Sequence, residues 1–260
     1  MDTSVIILAA GIGKRMGGGR AKVLSKAHGR ELISYVIETS SKLAPTETVV
    51  VTGYQREIVE DFILSDIKKR KLSSNIKFAF QEEQLGTGHA VMCALEKMES
   101  KEGITVILYG DVPLIKEETI KKLVNVFYEK EAFINVLTFD APTSSSYGRI
   151  VKNEDGEFLK IVEKKDCTPN QLEITESNSG VYAVNTKFLR EAVKQIKTNN
   201  TQKEYYLTDI VEIASKQGLK VIASKITDEN EVQGVNSLEE LEKVENILEK
   251  ENKKKVVNDY

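Results

Sequence analysis

LAAGIGKRMGGGRAKVL, residues 8–24, begins on the last residue of an apolar run, SVIIL, and packs five glycines and four cations into one short stretch. The apolar run reads as a buried strand, so bare backbone and positive charge gather just beyond its carboxyl end. That is where an open α/β sheet binds ligands. Glycines let backbone N–H groups turn toward an anion, and Lys14, Arg15, Arg20 and Lys22 supply charge to neutralise it. Two familiar phosphate loops do not match. A dinucleotide fingerprint wants a glycine at its sixth position and then a helix; here the sixth position is Met16, and more glycines follow. The next apolar run, TVVVTGY (48–54), ends without the carboxylate such a fold uses to hold a ribose. No glycine is followed by Lys-Ser or Lys-Thr, which excludes a Walker A loop. What remains is a third kind of loop, long, cationic and strand-following, suited to a triphosphate. A surface loop that is basic by chance is the weaker alternative.

Around this loop, short apolar runs at 4–8, 48–51, 76–80 and 105–108 alternate with helical spacing at 31–43, 56–69 and 88–98. That order implies an α/β fold: a mostly parallel, Rossmann-like sheet with helices on both faces. A helix over 116–129 and a strand over 133–139 continue it. Residues 147–166, YGRIVKNEDGEFLKIVEKKD, alternate around Glu154-Asp155-Gly156 and predict an inserted β-hairpin. Strands at 179–184 and 221–224 and helices at 187–197 and 207–217 follow, and the chain closes on a charged amphipathic helix. No repeat, low-complexity linker or clear domain boundary interrupts it.

Composition narrows the partners. The chain has 260 residues, 40% apolar and 30% charged, which suits one large folded domain. A net charge of −3 argues against nucleic acid, and no apolar run reaches the roughly 18 residues of a membrane helix. The start lacks a basic segment ahead of its apolar stretch, so a cytoplasmic protein is expected. Cys93 and Cys167 have no metal-ligand spacing and read as free thiols; His28 and His89 are too few for a histidine-built metal site.

A second signal lies at 106–114, VILYGDVPL. An apolar strand runs into Tyr109-Gly110-Asp111, and Pro113 stops it. Asp111 therefore sits on the same sheet edge as the glycine loop. A carboxylate facing a phosphate loop is a natural Mg²⁺ ligand, because Mg²⁺ takes one or two carboxylates plus phosphate oxygens and water. An aspartate that only caps the following turn is the competing reading, and beside the glycine loop the metal reading leads.

Together these residues resemble the sugar-nucleotide pyrophosphorylases, nucleotidyltransferases of GT-A-like fold, whose LAAGxGxRM…KVL signature stands at 8–16 and 22–24. In order there follow QEEQLGTGHAV (81–91), YGDVPL (109–114), YGRIV (147–151), IVEKKD (161–166), ESNSGVY (176–182), EYYLTD (204–209) and GVN (234–236). This set is similar to the N-acetylglucosamine-1-phosphate uridyltransferase domains of bifunctional GlmU proteins, from about residue 4 to 240. The implied division is a nucleotidyltransferase domain over 1–237 and a charged helix and tail over 238–260. The β-helix of hexapeptide repeats that follows in that family is absent from these residues, which leaves a monomer or weak dimer as the expectation.

The resemblance implies roles. Leu8, Ala9, Ala10 and Gly11 would meet uracil and ribose through backbone groups. Arg15 and Lys22 would be catalytic, holding the triphosphate as its α-phosphorus is attacked in line. Gln81, Gly86 and Thr87 would read the uracil edge, and Tyr109, Gly110 and Asp111 would line the nucleotide. Gly148, Glu163 and Asn178 would bind the amino sugar, and Asp111 and Asn236 would hold Mg²⁺. The substrates would be UTP and N-acetylglucosamine 1-phosphate, and the products UDP-N-acetylglucosamine, a cell-wall precursor, and pyrophosphate. Each residue has a plainer alternative: Asn178 and Asn236 as turn residues, Glu163 as an outward hairpin position, His89 as structural. One departure stands in the loop, where Ala21 replaces the usual proline before Lys22, so the ring that would aim the lysine is missing. The alternatives are a pyrophosphorylase for another sugar 1-phosphate such as glucose 1-phosphate, a cytidylyltransferase, and a non-catalytic nucleotide-sugar-binding protein. A dehydrogenase is weakest, for the loop reasons above.

Overall fold

A computed structural model describes residues 2–13, 19–72 and 75–258, with side chains as far as 251. The elements run β1 (Thr3–Leu8), β2 (Lys26–Ala27), β3 (Arg30–Glu31), α1 (Leu32–Ser41), β4 (Glu47–Thr52), α2 (Arg56–Arg70), β5 (Ile76–Phe80), α3 (Thr87–Lys97) and β6 (Ile104–Tyr109). Then come α4 (Glu117–Glu129), β7 (Ile134–Asp140), β8 (Arg149–Lys152), β9 (Phe158–Val162), α5 (Pro169–Leu172), β10 (Glu176–Asn185), α6 (Thr186–Ala192), α7 (Asp209–Lys216), β11 (Val221–Lys225) and α8 (Leu238–Asn258).

Seven strands form the sheet in the order β11-β7-β10-β6-β1-β4-β5, and the β8–β9 hairpin attaches through β10. β1 pairs in parallel with both β4 and β6, and the β4–β5 and β7–β11 pairs are also parallel. β10 is antiparallel to both its neighbours, β6 and β7, a reversal that the apolar pattern of 179–184 does not encode. A run buried on both faces reads the same in either direction. The chain leaves β1 toward β5 on one side and returns to β6 on the other, so the strand order switches at the carboxyl ends of β1 and β6. Ligands of open α/β sheets bind at such a point.

The two faces carry separate cores. Ile6 and Leu8 of β1 face one, with α3, α6 and α7; Val5 and Ile7 face the other, with α1, α2 and α4. This is the two-residue period of a strand covered on both sides. A third, smaller cluster joins Val244 of α8 to Ala27, Leu32, Leu114 and Val235. Local chemistry sets the ends. Thr168 and Gln171 form a reciprocal capping box around Pro169 at the start of α5, and Asn185 accepts from the Phe188 N–H at 2.9 Å to start α6. Among the described residues no helix is long and apolar enough to cross a membrane, and both cysteines are free.

Candidate functional site

β1 runs out into Leu8–Gly11 and β6 into Tyr109–Asp111, and the Gly110 N–H donates to the Leu8 carbonyl at 2.9 Å, which holds the two strand ends together. A cavity of about 250 Å³ opens over them, lined by Leu8, Ala9, Ala10, Gly11, Lys22, Gln81, Gly86, Thr87, Tyr109 and Asp111. Gly110 is not on that wall. It lies beneath it, where a Cβ would come within 2.8 Å of Ile33 Cδ1. The Gln81 amide donates to the Gly86 carbonyl at 3.0 Å and meets His89 Nδ1 at 3.2 Å. With His89 in the tautomer that leaves Nδ1 unprotonated, both amide protons are directed, and Oε1 is left as an acceptor without a protein partner among the described residues. His89 is thus a structural partner of Gln81, and its Nε2 lies 3.8 Å from Cys93 Sγ.

Lys22 stands at the floor of this cavity. Its ammonium donates to Asp111 Oδ2 and, at 2.8 Å, to Asn236 Oδ1. The two expected metal ligands, 125 positions apart in the chain, therefore already converge on one cation. One carboxylate oxygen and one amide oxygen make a hard donor set, and a divalent ion there would complete its shell from phosphate and water. The residues fit Mg²⁺, although among the described residues no group of three or more His, Cys, Asp or Glu gathers. Asn236 is fixed from behind: its N–H donates to Glu240 Oε2 at 2.6 Å, and the Glu240 N–H donates to Ser237 Oγ at 3.2 Å at the start of α8. The Val235 N–H donates to the Asp111 carbonyl at 2.9 Å.

The missing proline before Lys22 is compensated. Ala21 is fully buried and holds φ −57°, ψ 130°, a backbone a proline would adopt. Its N–H, which a proline would lack, donates to Gln55 Oε1 at 2.7 Å, and Gln55 Nε2 donates to the Gly19 carbonyl at 2.8 Å. Arg15, with Lys14 and the three residues after it, lies outside the described residues.

A second cavity, about 650 Å³, shares Lys22, Thr87, Tyr109, Asp111 and Glu204 with the first and extends to Gly148, Glu163 and Asn178. Gly148 has to be glycine: an added Cβ would stand 2.9 Å from Ile161 Cγ2 and 3.5 Å from both Glu163 carboxylate oxygens. Its carbonyl accepts from the Asn178 N–H at 2.9 Å, which ties two of the three residues together. Burial raises the Glu163 carboxyl above its usual range, opposed by the Thr208 hydroxyl donating to Oε1 at 3.1 Å. Asn178 is both turn and lining residue. Its Oδ1 accepts from the Gly180 N–H at 3.0 Å within a break in the β10–β7 register, and it faces the cavity. Gly180, at φ +84°, brings its Cα against the Tyr109 ring so closely that a Cβ would lie 2.6 Å from Cε2.

Sequence reasoning missed several lining residues. Gln84 donates to the Ala10 carbonyl at 2.6 Å, and Tyr147, Glu204, Thr208 and Glu240 also reach the cavities. All but Glu240 belong to motifs already quoted, at positions that the resemblance left without roles. In Glu240 the signal was the Ser-x-x-Glu spacing of a helix start.

Residues 5–177 match the model of the MobA-like NTP transferase domain. Over 247 residues the chain is 42% identical to the bifunctional protein GlmU of Geotalea uraniireducens (strain Rf4), covering 95% of this chain and 52% of that protein. It is 43% identical over 248 residues to that of Clostridioides difficile (strain 630), again 95% and 52%. The chain thus spans about half the length of the curated relatives it matches. A solved UDP-glucose pyrophosphorylase complexed with UDP-glucose superposes with a TM-score of 0.76 over 96% of this chain and 100% of that one, at 20% identity, a likeness of fold. The strand order and the matched residues agree, and the chain belongs to the family of MobA-like NTP transferase domains.

Proposed function

We propose that this chain is a uridylyltransferase that makes UDP-N-acetylglucosamine and pyrophosphate from UTP and N-acetylglucosamine 1-phosphate. The observation that carries the reading is the placement of Lys22, Asp111 and Asn236 where the two cavities meet. A triphosphate in the smaller cavity and a sugar phosphate in the larger would put their phosphates at that junction.

Gln81, with its amide protons committed inward, offers an acceptor oxygen, which suits the N3–H of uracil and not the bare N3 of cytosine. Gly148, Glu163 and Asn178 would hold the amino sugar, with the Glu163 carboxylate accepting from sugar hydroxyls. Lys22 would neutralise the phosphates as the sugar phosphate oxygen attacks the α-phosphorus and pyrophosphate leaves. A phosphate monoester is already anionic near neutral pH, so positioning and charge suffice and no general base is needed. Held by Asp111 and Asn236, Mg²⁺ would supply Lewis-acid stabilisation of the phosphate charge.

The test is pyrophosphate release with a panel of nucleoside triphosphates and sugar 1-phosphates, with Mg²⁺ and with a chelator. Metal-dependent release with UTP and N-acetylglucosamine 1-phosphate supports the reading. Preference for another sugar phosphate keeps the chemistry and overturns the roles given to Gly148, Glu163 and Asn178. Release with no pair overturns the activity and favours a nucleotide-sugar-binding protein.

A further inference from the structure

The YGRIV stretch brings Gly148 to the cavity and leaves its arginine without a role. Arg149 is 0% exposed. All hydrogen bonds of its side chain among the described residues run to neutral acceptors in the stretch 143–147. Nη1 donates to Ser145 Oγ at 3.2 Å and to the Tyr147 carbonyl; Nη2 donates to the carbonyls of Thr143 at 2.7 Å and Ser145 at 3.3 Å. Nε has no partner there. A buried guanidinium without a carboxylate is strongly unfavourable unless its donors are used. Here the carbonyls of the 143–147 segment, which belongs to no strand or helix, need donors as much as the guanidinium needs acceptors. Each holds the other.

That segment is a wall of the larger cavity. Ser145, Ser146 and Tyr147 line it, and none of residues 143–147 lines the smaller one. The Tyr147 ring packs edge-on against Phe139 with centroids 4.9 Å apart, and its hydroxyl meets the backbone of Gly234, two residues before Asn236. From Tyr147 the chain passes directly into Gly148, whose carbonyl holds Asn178. The 143–147 segment therefore reaches both the Gly234 side and the Gly148 side of the larger cavity.

We propose that Arg149 is a positioning residue for the sugar phosphate: its fork moulds residues 143–147 into the wall against which that substrate binds, and the nucleotide cavity is left untouched. The inference rests on the uridylyltransferase reading for the identity of the substrate, but not for the shape of the wall.

Steady-state kinetics of Arg149→Met and Arg149→Lys, together with hydrogen–deuterium exchange of the amides at 143–147, test it. The expected result is a KM for N-acetylglucosamine 1-phosphate raised at least tenfold, a KM for UTP within twofold of wild type, and faster exchange confined to 143–147. Lysine keeps the charge but presents one point instead of a fork, so Arg149→Lys should stay impaired; full rescue by lysine would overturn the proposal. So would equal rises in both KM values, or unchanged exchange at 143–147. If neither variant folds, Ser145→Ala removes one acceptor and should raise the sugar-phosphate KM two- to threefold; no selective rise would overturn the proposal. A wild-type protein inactive with UTP and N-acetylglucosamine 1-phosphate would overturn the activity reading, and the exchange measurement would still decide the role of Arg149.

Discussion

Ala21 and Gln55 allow a prediction in which the sign of one substitution depends on the other. Gln55 makes two bonds to the exit of the glycine loop, to the Ala21 N–H at 2.7 Å and the Gly19 carbonyl at 2.8 Å, and Lys22 is the next residue. A net bond contributes about 1 kcal/mol. Gln55→Ala should therefore relax the loop by roughly 2 kcal/mol, and with about 1.4 kcal/mol per factor of ten, kcat/KM for UTP should fall at least tenfold. Ala21→Pro alone suits φ −57°. Its ring, however, puts Cδ where the N–H now points, into Gln55 Oε1 at 2.7 Å from the nitrogen, so that variant should also lose activity. Combined, the two changes remove each other's problem. Alanine vacates the space, and the ring fixes φ without needing a partner while lowering unfolded-chain entropy by about 0.4–1 kcal/mol. The double variant should be more active and more stable than either single one. Pyrophosphate-release kinetics and urea unfolding of all four proteins measure the cycle. Additive effects, within about 0.5 kcal/mol, would refute the view that Gln55 does the work of a ring.

Three further outcomes are expected. Lys22→Met should reduce kcat by about 10²–10³, the range for one transition-state donor, with little loss of fold by circular dichroism. By freeing Asp111 and Asn236 it should also let Mn²⁺ bind without nucleotide, seen by electron paramagnetic resonance; unchanged turnover would remove Lys22 from the chemistry. Gly180→Ala must place a methyl 2.6 Å from the Tyr109 ring at φ +84°; it should cost about 2 kcal/mol or more by urea unfolding and raise KM for both substrates, since Tyr109 borders both cavities. Asp209 is pushed up to about 6 from 3.8, first by burial and then by the nearby Glu212 and Asp166 charges. Its folded form holds the proton more tightly, so folding stability falls as pH rises from about 4 to 6 and the penalty is complete above that. Asp209→Asn should therefore gain on the order of 1–2 kcal/mol at pH 7.5, after allowing for partial exposure and the α7 N-terminus, and nothing at pH 3.5; a gain independent of pH would refute the assignment.

Much of the sheet was legible because strands covered on both faces are uninterrupted apolar runs, and Gly53, Gly110 and Pro113 punctuate them. Ile6 and Leu8 dividing from Val5 and Ile7 is the same signal at the level of packing. The reversal of β10 was not legible, since hydrogen-bond direction leaves no mark on a run such as GVYAV. Nor was the two-strand β2–β3 hairpin, whose strands of two residues are too short for any period. In the site, glycines and a strand-end aspartate announced the smaller cavity because sheet geometry ties them to one edge. Lys22 meeting Asn236, 214 positions away, was reachable only through the motif order, and Gln55 lay in an unremarked turn between β4 and α2.

What those omissions share is a physical cause. Several of the residues expected to do chemistry adjoin irregular segments: the loop before Lys22, the 142–147 loop, the turn before Asn236. A side chain outside each segment bonds to its backbone: Gln55 for the first, Arg149 together with Lys164 for the second, Glu240 for the third. None of these side chains needs to touch a substrate, so none carries a chemical signature that a reading for phosphate or metal chemistry would stop at. Their distinguishing mark is that they satisfy backbone groups left over by the secondary structure. An arginine with only carbonyls and a hydroxyl for company, or a glutamine bonded to both a carbonyl and an N–H of one loop, is therefore informative about where a loop must be held still. Lys22 depends on Gln55 for its direction and Asn236 on Glu240. Turnover should thus fall gradually when these supports are removed, and abruptly only when Lys22 or Asp111 itself is replaced.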